Sequence, residues 1–227
     1  MEQQVFRLRA LYAKQGRLVM LSHLEVAESL RRAVRRAGLP FAVSQGFSPH
    51  MKMTFSAALP VGVGSTCEIF DLYLTEYVPA ERAFAALAAA SVPDLMVSAC
   101  AYVEPKAKAA GVAFPVGVYA AEFSGAAEGL VFPQVVTVQR AKKKPKTHVV
   151  ADYLRGEAVA QGRTLTFALE ALPTGSLRPD YLLAEALRAH NETADSPLAL
   201  LSCTRIDQRD ESGISLVASL SPLSGEI

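Results

Sequence analysis

The sequence is poor in cysteine, carries almost no net charge and contains no long hydrophobic run. Its three cysteines, Cys67, Cys100 and Cys203, are far apart and odd in number. This argues against a disulfide framework, a paired-cysteine zinc site and an iron–sulfur cluster. A net charge of +1 provides no global attraction to nucleic acid. No apolar run reaches the roughly 18 residues that span a membrane, and the first residues lack a secretory pattern. We therefore expect a cytoplasmic protein with no membrane partner and no cofactor.

What is present is a chain that can bury a core: 51% of its 227 residues are hydrophobic and 20% are charged. Residues 5–13 alternate apolar and polar side chains, with Arg7 and Arg9 on the polar face, which predicts a half-buried strand. Ser22 and Glu25 have the spacing of a capping box, which predicts a helix from there to about Ala37. The side chains predicted to line its buried face are Leu24, Ala27, Leu30 and Val34.

The order of predicted elements indicates an α+β fold built from two tandem ferredoxin-like (βαββαβ) modules. After the first helix come extended segments, a second helix and a strand; the second half has a similar pattern. The predicted strands are residues 41–44, 51–59, 67–74, 94–103, 114–123, 163–172 and 197–206. The predicted helices are 79–90, 178–190 and a short one within 127–136. The predicted division is a first module at 1–105, a linker at 106–111, a second module at 112–207 and a tail at 208–227.

The densest polar chemistry lies in the loop Gly-Phe-Ser-Pro-His-Met-Lys, residues 46–52. Phe47 can stack, Lys52 can hold an anion, and His50 has three possible roles: acid or base, ligand, or hydrogen-bonding loop residue. His23 lies in the first turn of a helix, where the dipole disfavours a charged imidazole. His50 and His23 are the candidate catalytic residues.

Three basic segments are candidate anion or nucleic-acid contacts, each with a plainer alternative. The helix arginines form either a solvated face paired with Glu28 or phosphate contacts. The lysine run, residues 140–148, is either a solvated loop or a clamp on a nucleic-acid backbone. The segment before residue 179 is either an ordinary helix cap or an anion site. Together with Phe47, His50 and Lys52, the candidate binding residues are Arg32, Arg35, Arg36, Arg140, Lys142, Lys144, Ser176 and Arg178.

Two carboxylates on the strand at 67–74 do not form an obvious acid–base pair. Glu68 and Asp71 are three residues apart, and the period of two places them on opposite faces of the sheet.

Several motifs resemble the DUF2344 family, a radical SAM-linked family of unknown function. They are Ser22-His23-Leu24, Arg35-Arg36-Ala37, the Gly46–Lys52 loop, Leu59-Pro60-Val61-Gly62 and the Glu68-x-x-Asp71 strand. The segments 139–154 and 175–187 also resemble the family, so the similarity covers roughly residues 5–205. Met51 stands where the family loop has proline.

The resemblance implies a partner more than an activity. Members are typically fused to, or encoded beside, a B12-binding-type radical SAM protein, and their genes often neighbour those of an E/G-type ribonuclease and of ribosomal proteins. We therefore expect an RNA-binding accessory factor that acts with a separately encoded radical SAM protein. Two alternatives stay open: an RNA-processing or RNA-modifying enzyme that uses His50 or His23 as acid and base, and a protein–protein adaptor.

Overall fold

The first two elements begin where their sequence patterns predict. The computed structural model describes residues 5–104, 106–140 and 143–220, and its first strand is Phe6–Lys14. The Ser22 hydroxyl accepts a hydrogen bond from the Glu25 amide, and the Glu25 carboxylate accepts one from the Ser22 amide, so the capping box is complete. A helix follows from His23 to Arg36.

The chain forms a mixed α+β structure, which confirms the predicted class. The strands are β1 (Phe6–Lys14), β2 (Met53–Phe55), β3 (Gly64–Leu74), β4 (Val97–Tyr102), β5 (Val116–Phe123), β6 (Val135–Arg140), β7 (Lys143–Val149), β8 (Val159–Gln161), β9 (Thr164–Leu172), β10 (Gly175–Ser176) and β11 (Leu200–Arg209). The helices are α1 (His23–Arg36), α2 (Ala80–Ala90), α3 (Ala110–Ala113), α4 (Val150–Tyr153), α5 (Pro179–Asn191) and α6 (Leu216–Leu220). Among the described residues, no helix is long and apolar enough to cross a membrane.

One nine-stranded sheet runs through both halves of the chain. In the first half, β1 lies between β3 and β4, and β2 pairs with β3, all antiparallel. In the second half, β5 lies between β9 and β11, and β8 pairs with β9, again antiparallel. The halves meet where β11 pairs with β3 in parallel, through Thr204 with Gly64 and Arg205 with Ser65. Only two registered residue pairs form this junction, so side chains have a large part in holding it.

Two large apolar clusters support the sheet. One packs α1 and α2 on the first half, and Phe70, Leu72 and Leu74 of β3 are fully buried within it. The other packs α5 on β5, β9 and β11. The predicted burial of Leu24 is wrong, since its side chain is 78% exposed. The core-facing stripe of α1 consists of Val26, Ala27, Leu30, Ala33 and Val34.

Several segments differ from their predicted structure. Residues 41–44 form isolated bridges through Phe41 and Val43 instead of a continuous strand. The predicted short helix at 127–136 is absent there, and β6 begins at Val135. The lysine run, predicted as a loop, supplies β7, which pairs with β6. Pro145 is tolerated in β7 because that strand has a partner on one side only in the two-stranded sheet, so its missing N–H need not break a ladder.

Candidate functional site

The Gly46–Lys52 loop is a hairpin whose base is fixed and whose tip projects into solvent. The amide of Ser44 donates to the His50 carbonyl at 2.8 Å, and the amide of Lys52 donates to the Ala42 carbonyl at 2.8 Å. Residues 45–49 at the tip are all exposed. Gly46 has φ +134°, a conformation that side-chain-bearing residues rarely adopt. The sequence therefore specifies a preorganised projection.

Phe47 is the most exposed large apolar side chain of this projection, with a relative exposure of 111%. The Phe47 ring does not pack against the rest of the fold, and the exposure of an apolar ring to water is unfavourable. The fold itself therefore does not explain an aromatic residue at this position. Lys52, at the base of the loop, places its Nζ 4.4 Å from the centre of the Tyr73 ring. The loop thus presents an unpacked aromatic ring and a nearby cation.

His50 has a structural role that its surroundings explain. Its Nδ1 lies 2.9 Å from the Ser44 Oγ and 3.2 Å from the Ser48 carbonyl, and its amide donates to the same Ser44 hydroxyl. These contacts close the hairpin. The next residue, Met51, is 3% exposed and packs in the core beneath α1 and α2, so it anchors this loop by burial.

The arginines of α1 have protein partners. Arg31, Arg32 and Arg35 all lie within 4 Å of the Glu28 carboxylate, at 3.8, 3.3 and 3.8 Å. Arg36 donates from Nη2 to the Ala90 carbonyl at 2.6 Å, which satisfies the C-terminal end of α2. Arg32, Arg35 and Arg36 remain solvent-exposed, so ion pairing lowers the free charge of this face without closing it to a phosphate.

The β6–β7 hairpin carries the second basic segment. Lys144 is exposed, and the Nζ of Lys146 donates to the Thr174 carbonyl at 3.2 Å, which ties the hairpin to the turn before β10. Arg140 is the last residue of β6, and Lys142 lies outside the described residues.

Ser176 and Arg178 lie at the N-terminal end of α5. Arg178 is the N-cap residue, and its Nε donates to Asp180 Oδ1 at 3.0 Å in the first helical turn. The pKa of the Arg178 guanidinium is raised, chiefly by that hydrogen bond. Because Asp180 already places a carboxylate at this helix end, the site is less open to an external anion than the sequence predicts.

A buried ionic cluster that sequence reasoning missed lies under residues 107–110. Arg7 and Arg9, predicted on a polar face, are 7% and 5% exposed, and both donate to Asp71, which is fully buried. The two guanidinium groups also donate to the carbonyls of Ala107 and Lys108. This segment, predicted as a linker, is therefore held against the sheet by hydrogen bonds to two buried charges.

A second buried pair joins distant parts of the chain on the other face of β3. Arg205 Nη1 lies 3.1 Å from Glu68 Oε1, with both side chains under 5% exposed. Ser56 Oγ donates to Glu68 Oε2 at 3.0 Å, and Arg205 Nη2 donates to the Ala57 carbonyl at 3.1 Å. Burial alone would lower the pKa of Arg205, yet it is raised, because Glu68 stabilises the charged guanidinium. The signal available in the sequence was the pair of carboxylates: Asp71 pairs with two buried arginines and Glu68 with one.

His23 lies beside the Glu68–Arg205 pair and away from the contacts that hold His50. It shares with Tyr12, Lys14 and Glu68 a cavity of about 10 Å³, the size of one water molecule. Its ring contacts Phe55 edge-on at 5.5 Å. Burial lowers the pKas of both His23 and Lys14. This cavity can hold an ordered water but has no room for a substrate.

Acidification is expected to destabilise the fold through His23. Burial is the main cause of its lowered pKa; Arg31 and Lys14 lower it further, and Glu68 opposes them. The unfolded state therefore binds a proton more readily, so stability is lost as the pH falls below the ordinary histidine pKa of about 6.5. Urea unfolding at pH 7.5 and 5.5 should show a larger loss for the natural chain than for His23→Gln. An equal loss in both proteins would contradict this assignment.

The three cysteines behave as core residues, as their apolar contexts predict. Cys67 and Cys203 are buried, Cys100 is partly buried, and all three are free thiols. Burial raises the pKa of each thiol to about 12, so the reactive thiolate is scarce at neutral pH.

Comparison with known proteins places the chain in a family. A family model described as an uncharacterized protein conserved in bacteria (DUF2344) matches residues 7–179, about three quarters of the chain. A search of curated proteins gave no match. The matched range contains the projecting loop, both carboxylates of β3 and the β6–β7 hairpin. The chain belongs to the DUF2344 family of bacterial proteins.

Proposed function

We propose that this protein is an RNA-binding accessory factor that acts with a radical SAM enzyme in RNA modification or metabolism. The observation that carries the proposal is the fully exposed Phe47 ring on a hairpin whose base is fixed by backbone hydrogen bonds. Exposed aromatic rings on rigid supports are stacking platforms for single-stranded bases. The fixed base of the hairpin limits the backbone entropy lost when a base stacks on the ring, so the hairpin suits this task.

Several exposed cations are suited to the sugar–phosphate backbone. Lys144, Arg32 and Arg35 are solvent-exposed, and Lys52 lies at the base of the loop. In a chain with a net charge of +1, these contacts would act locally and would depend on salt concentration.

The strand orders support a finer description of the scaffold as two ferredoxin-like modules. In each half, an antiparallel four-stranded order follows the connectivity of that module: β4-β1-β3-β2 and β11-β5-β9-β8. In the second half, the β6–β7 hairpin and the short α4 replace the first helix of the module.

The stacking proposal predicts that Phe47→Ala weakens RNA binding without affecting the fold. Loss of one base–aromatic stack costs about 1–3 kcal/mol, which corresponds to roughly 5- to 150-fold in the dissociation constant. Fluorescence anisotropy with a labelled single-stranded RNA of mixed sequence measures the change, and Phe47→Tyr should retain most of the affinity. Gln45→Ala, an exposed change in the same tip, is the matched control and should have little effect.

Salt titration separates the stacking contribution from the charge contribution. Lys144→Ala should reduce the slope of log K against log salt by about 0.7 for a single strand, whereas Phe47→Ala should leave the slope unchanged. An affinity that is independent of both salt and Phe47 would contradict RNA binding at this surface. That result would favour the adaptor alternative. Co-elution of this protein with the purified radical SAM protein in the absence of RNA would support the adaptor role.

A further inference from the structure

The largest unexplained hydrogen-bonding capacity of the described residues lies in a cleft where the two halves of the sheet meet. The cleft has a volume of about 40 Å³ and is bordered by residues 57–60, by β5 and β9, and by the segment that leads into α5. Its inner wall includes Arg205 and Gln208, which are 3% and 1% exposed. The Nε of Arg205 and the Oε1 of Gln208 have no hydrogen-bond partner there. Buried groups of this kind are costly unless something satisfies them.

A bulge in β11 directs both side chains into the cleft. Arg205 pairs with Tyr119 and Gln208 with Gly117, with a register shift between Arg205 and Asp207. Tyr119 and Gly117 are two residues apart on β5, so they lie on the same face of the sheet. Their partners on β11, Arg205 and Gln208, therefore also share a face, although the bulge leaves them three residues apart. A side chain at Gly117 would begin 2.9 Å from the Tyr119 hydroxyl. The absence of one keeps that space for the phenol.

The spare groups are one donor and one acceptor. The amide nitrogen of Gln208 donates to the Cys67 carbonyl at 2.5 Å, which leaves its oxygen as the free acceptor. The charges around the cleft already have partners: Arg205 pairs with Glu68, Arg178 with Asp180, and Glu170 with Arg155. A neutral group that carries both a donor and an acceptor therefore fits this wall better than an anion does.

We propose that this cleft binds the hydrogen-bonding edge of a single nucleobase. The edge of a base carries adjacent donors and acceptors, and the rings of Tyr119 and Phe114 line the same cleft. The volume corresponds to roughly three or four water molecules, which suits the edge of one planar ring. The proposal deepens the RNA-binding function and rests on it, since it names the part of the RNA that is read, whereas Phe47 supplies stacking without sequence preference.

Calorimetric titration with adenosine, guanosine, cytidine and uridine tests the site. At least one nucleoside should bind the natural chain, with a tenfold or greater loss of affinity in Ala58→Leu and in Gln208→Met. Ala58 is exposed and lines the cleft, so the larger side chain should obstruct it without disturbing the core. The matched control is Ala85→Leu, an exposed alanine on α2 that does not line the cleft.

Three results would overturn the base site. They are no binding of any nucleoside at millimolar concentration, equal binding by the natural chain and both cleft variants, and binding of inorganic phosphate that Ala58→Leu abolishes. The first would leave ordered water as the occupant, the second would place the site elsewhere, and the third would make the cleft an anion site. Nucleoside binding that is lost in both variants would support the base site, and if single-stranded RNA then failed to bind, the RNA-binding proposal alone would fall.

Discussion

Replacing Asp71 by asparagine is expected to reduce the free energy of unfolding by about 3–5 kcal/mol, because it leaves two buried guanidinium groups without their counter-charge. Asp71 is fully buried and accepts hydrogen bonds from Arg7, Arg9 and the amide of Ala110. Asparagine has nearly the same volume as aspartate, so this substitution creates no cavity. The decrease in the free energy of unfolding therefore measures the loss of charge and hydrogen bonding. A domain is stable by about 5–15 kcal/mol in all, so this change removes a large part of that margin.

Urea unfolding followed by circular dichroism at pH 7 measures the effect. Glu76→Gln, which removes an exposed carboxylate from the connection between β3 and α2, is the matched control and should change stability by less than about 0.5 kcal/mol. Adding Arg9→Leu to Asp71→Asn should recover part of the loss, because one unpaired charge leaves the interior. If Asp71→Asn alone costs under about 1 kcal/mol, the cluster is not the anchor that its burial indicates.

The same change should loosen the segment after β4. Arg7 and Arg9 donate to the carbonyls of Ala107 and Lys108, and the same two guanidinium groups donate to Asp71. We expect hydrogen exchange in Asp71→Asn to accelerate more at residues 107–113 than at α1, which packs on the opposite face of β3 and should lose protection only through the global loss of stability. Equal acceleration at both places would contradict a local role of Asp71 in holding the segment.

Local patterns were enough to predict the elements that depend on local physics. The alternation in β1, the capping box of α1 and the proline at the start of α5 each act within a few residues, and all three are present. The lysine run was mistaken for a loop because a two-stranded hairpin needs neither strong alternation nor an apolar face. The prediction that Leu24 is buried was wrong because a period of 3.6 does not determine which side of the first helical turn faces the core.

The candidate site could be predicted in part only. The Gly46–Lys52 loop was identified by its concentration of polar groups, and the structure shows it as a projecting hairpin. Neither the partner of Glu68 nor the alignment of Arg205 with Gln208 could be predicted. Glu68 and its partner Arg205 are separated by 137 residues in the sequence. The alignment of Arg205 with Gln208 depends on a bulge in β11, which reverses the expected alternation of side chains.

Separate loss of Glu68 and of Arg205 is expected to cost about 3–5 kcal/mol each, while their joint replacement costs less than either alone. Glu68→Gln leaves the buried Arg205 guanidinium without a carboxylate, and Arg205→Met leaves a buried carboxylate with Ser56 as its remaining hydrogen-bond donor. In the double variant, neither uncompensated charge is present, and apolar or neutral replacements of buried pairs are often tolerated.

The double-mutant cycle therefore measures how firmly the two halves are held together. The backbone junction between β3 and β11 has only two registered pairs, and Arg205 reaches across it to Glu68 and to the Ala57 carbonyl. A coupling energy of at least about 3 kcal/mol from urea unfolding, at or above the upper end of the usual range for residues in contact, would identify this pair as a principal side-chain link at the junction. Additive losses would contradict that role and would assign the junction to apolar packing. Because Arg205 also lines the cleft proposed to take a base edge, a strong coupling would mean that the wall of that cleft is kept rigid by the same interaction that joins the sheet.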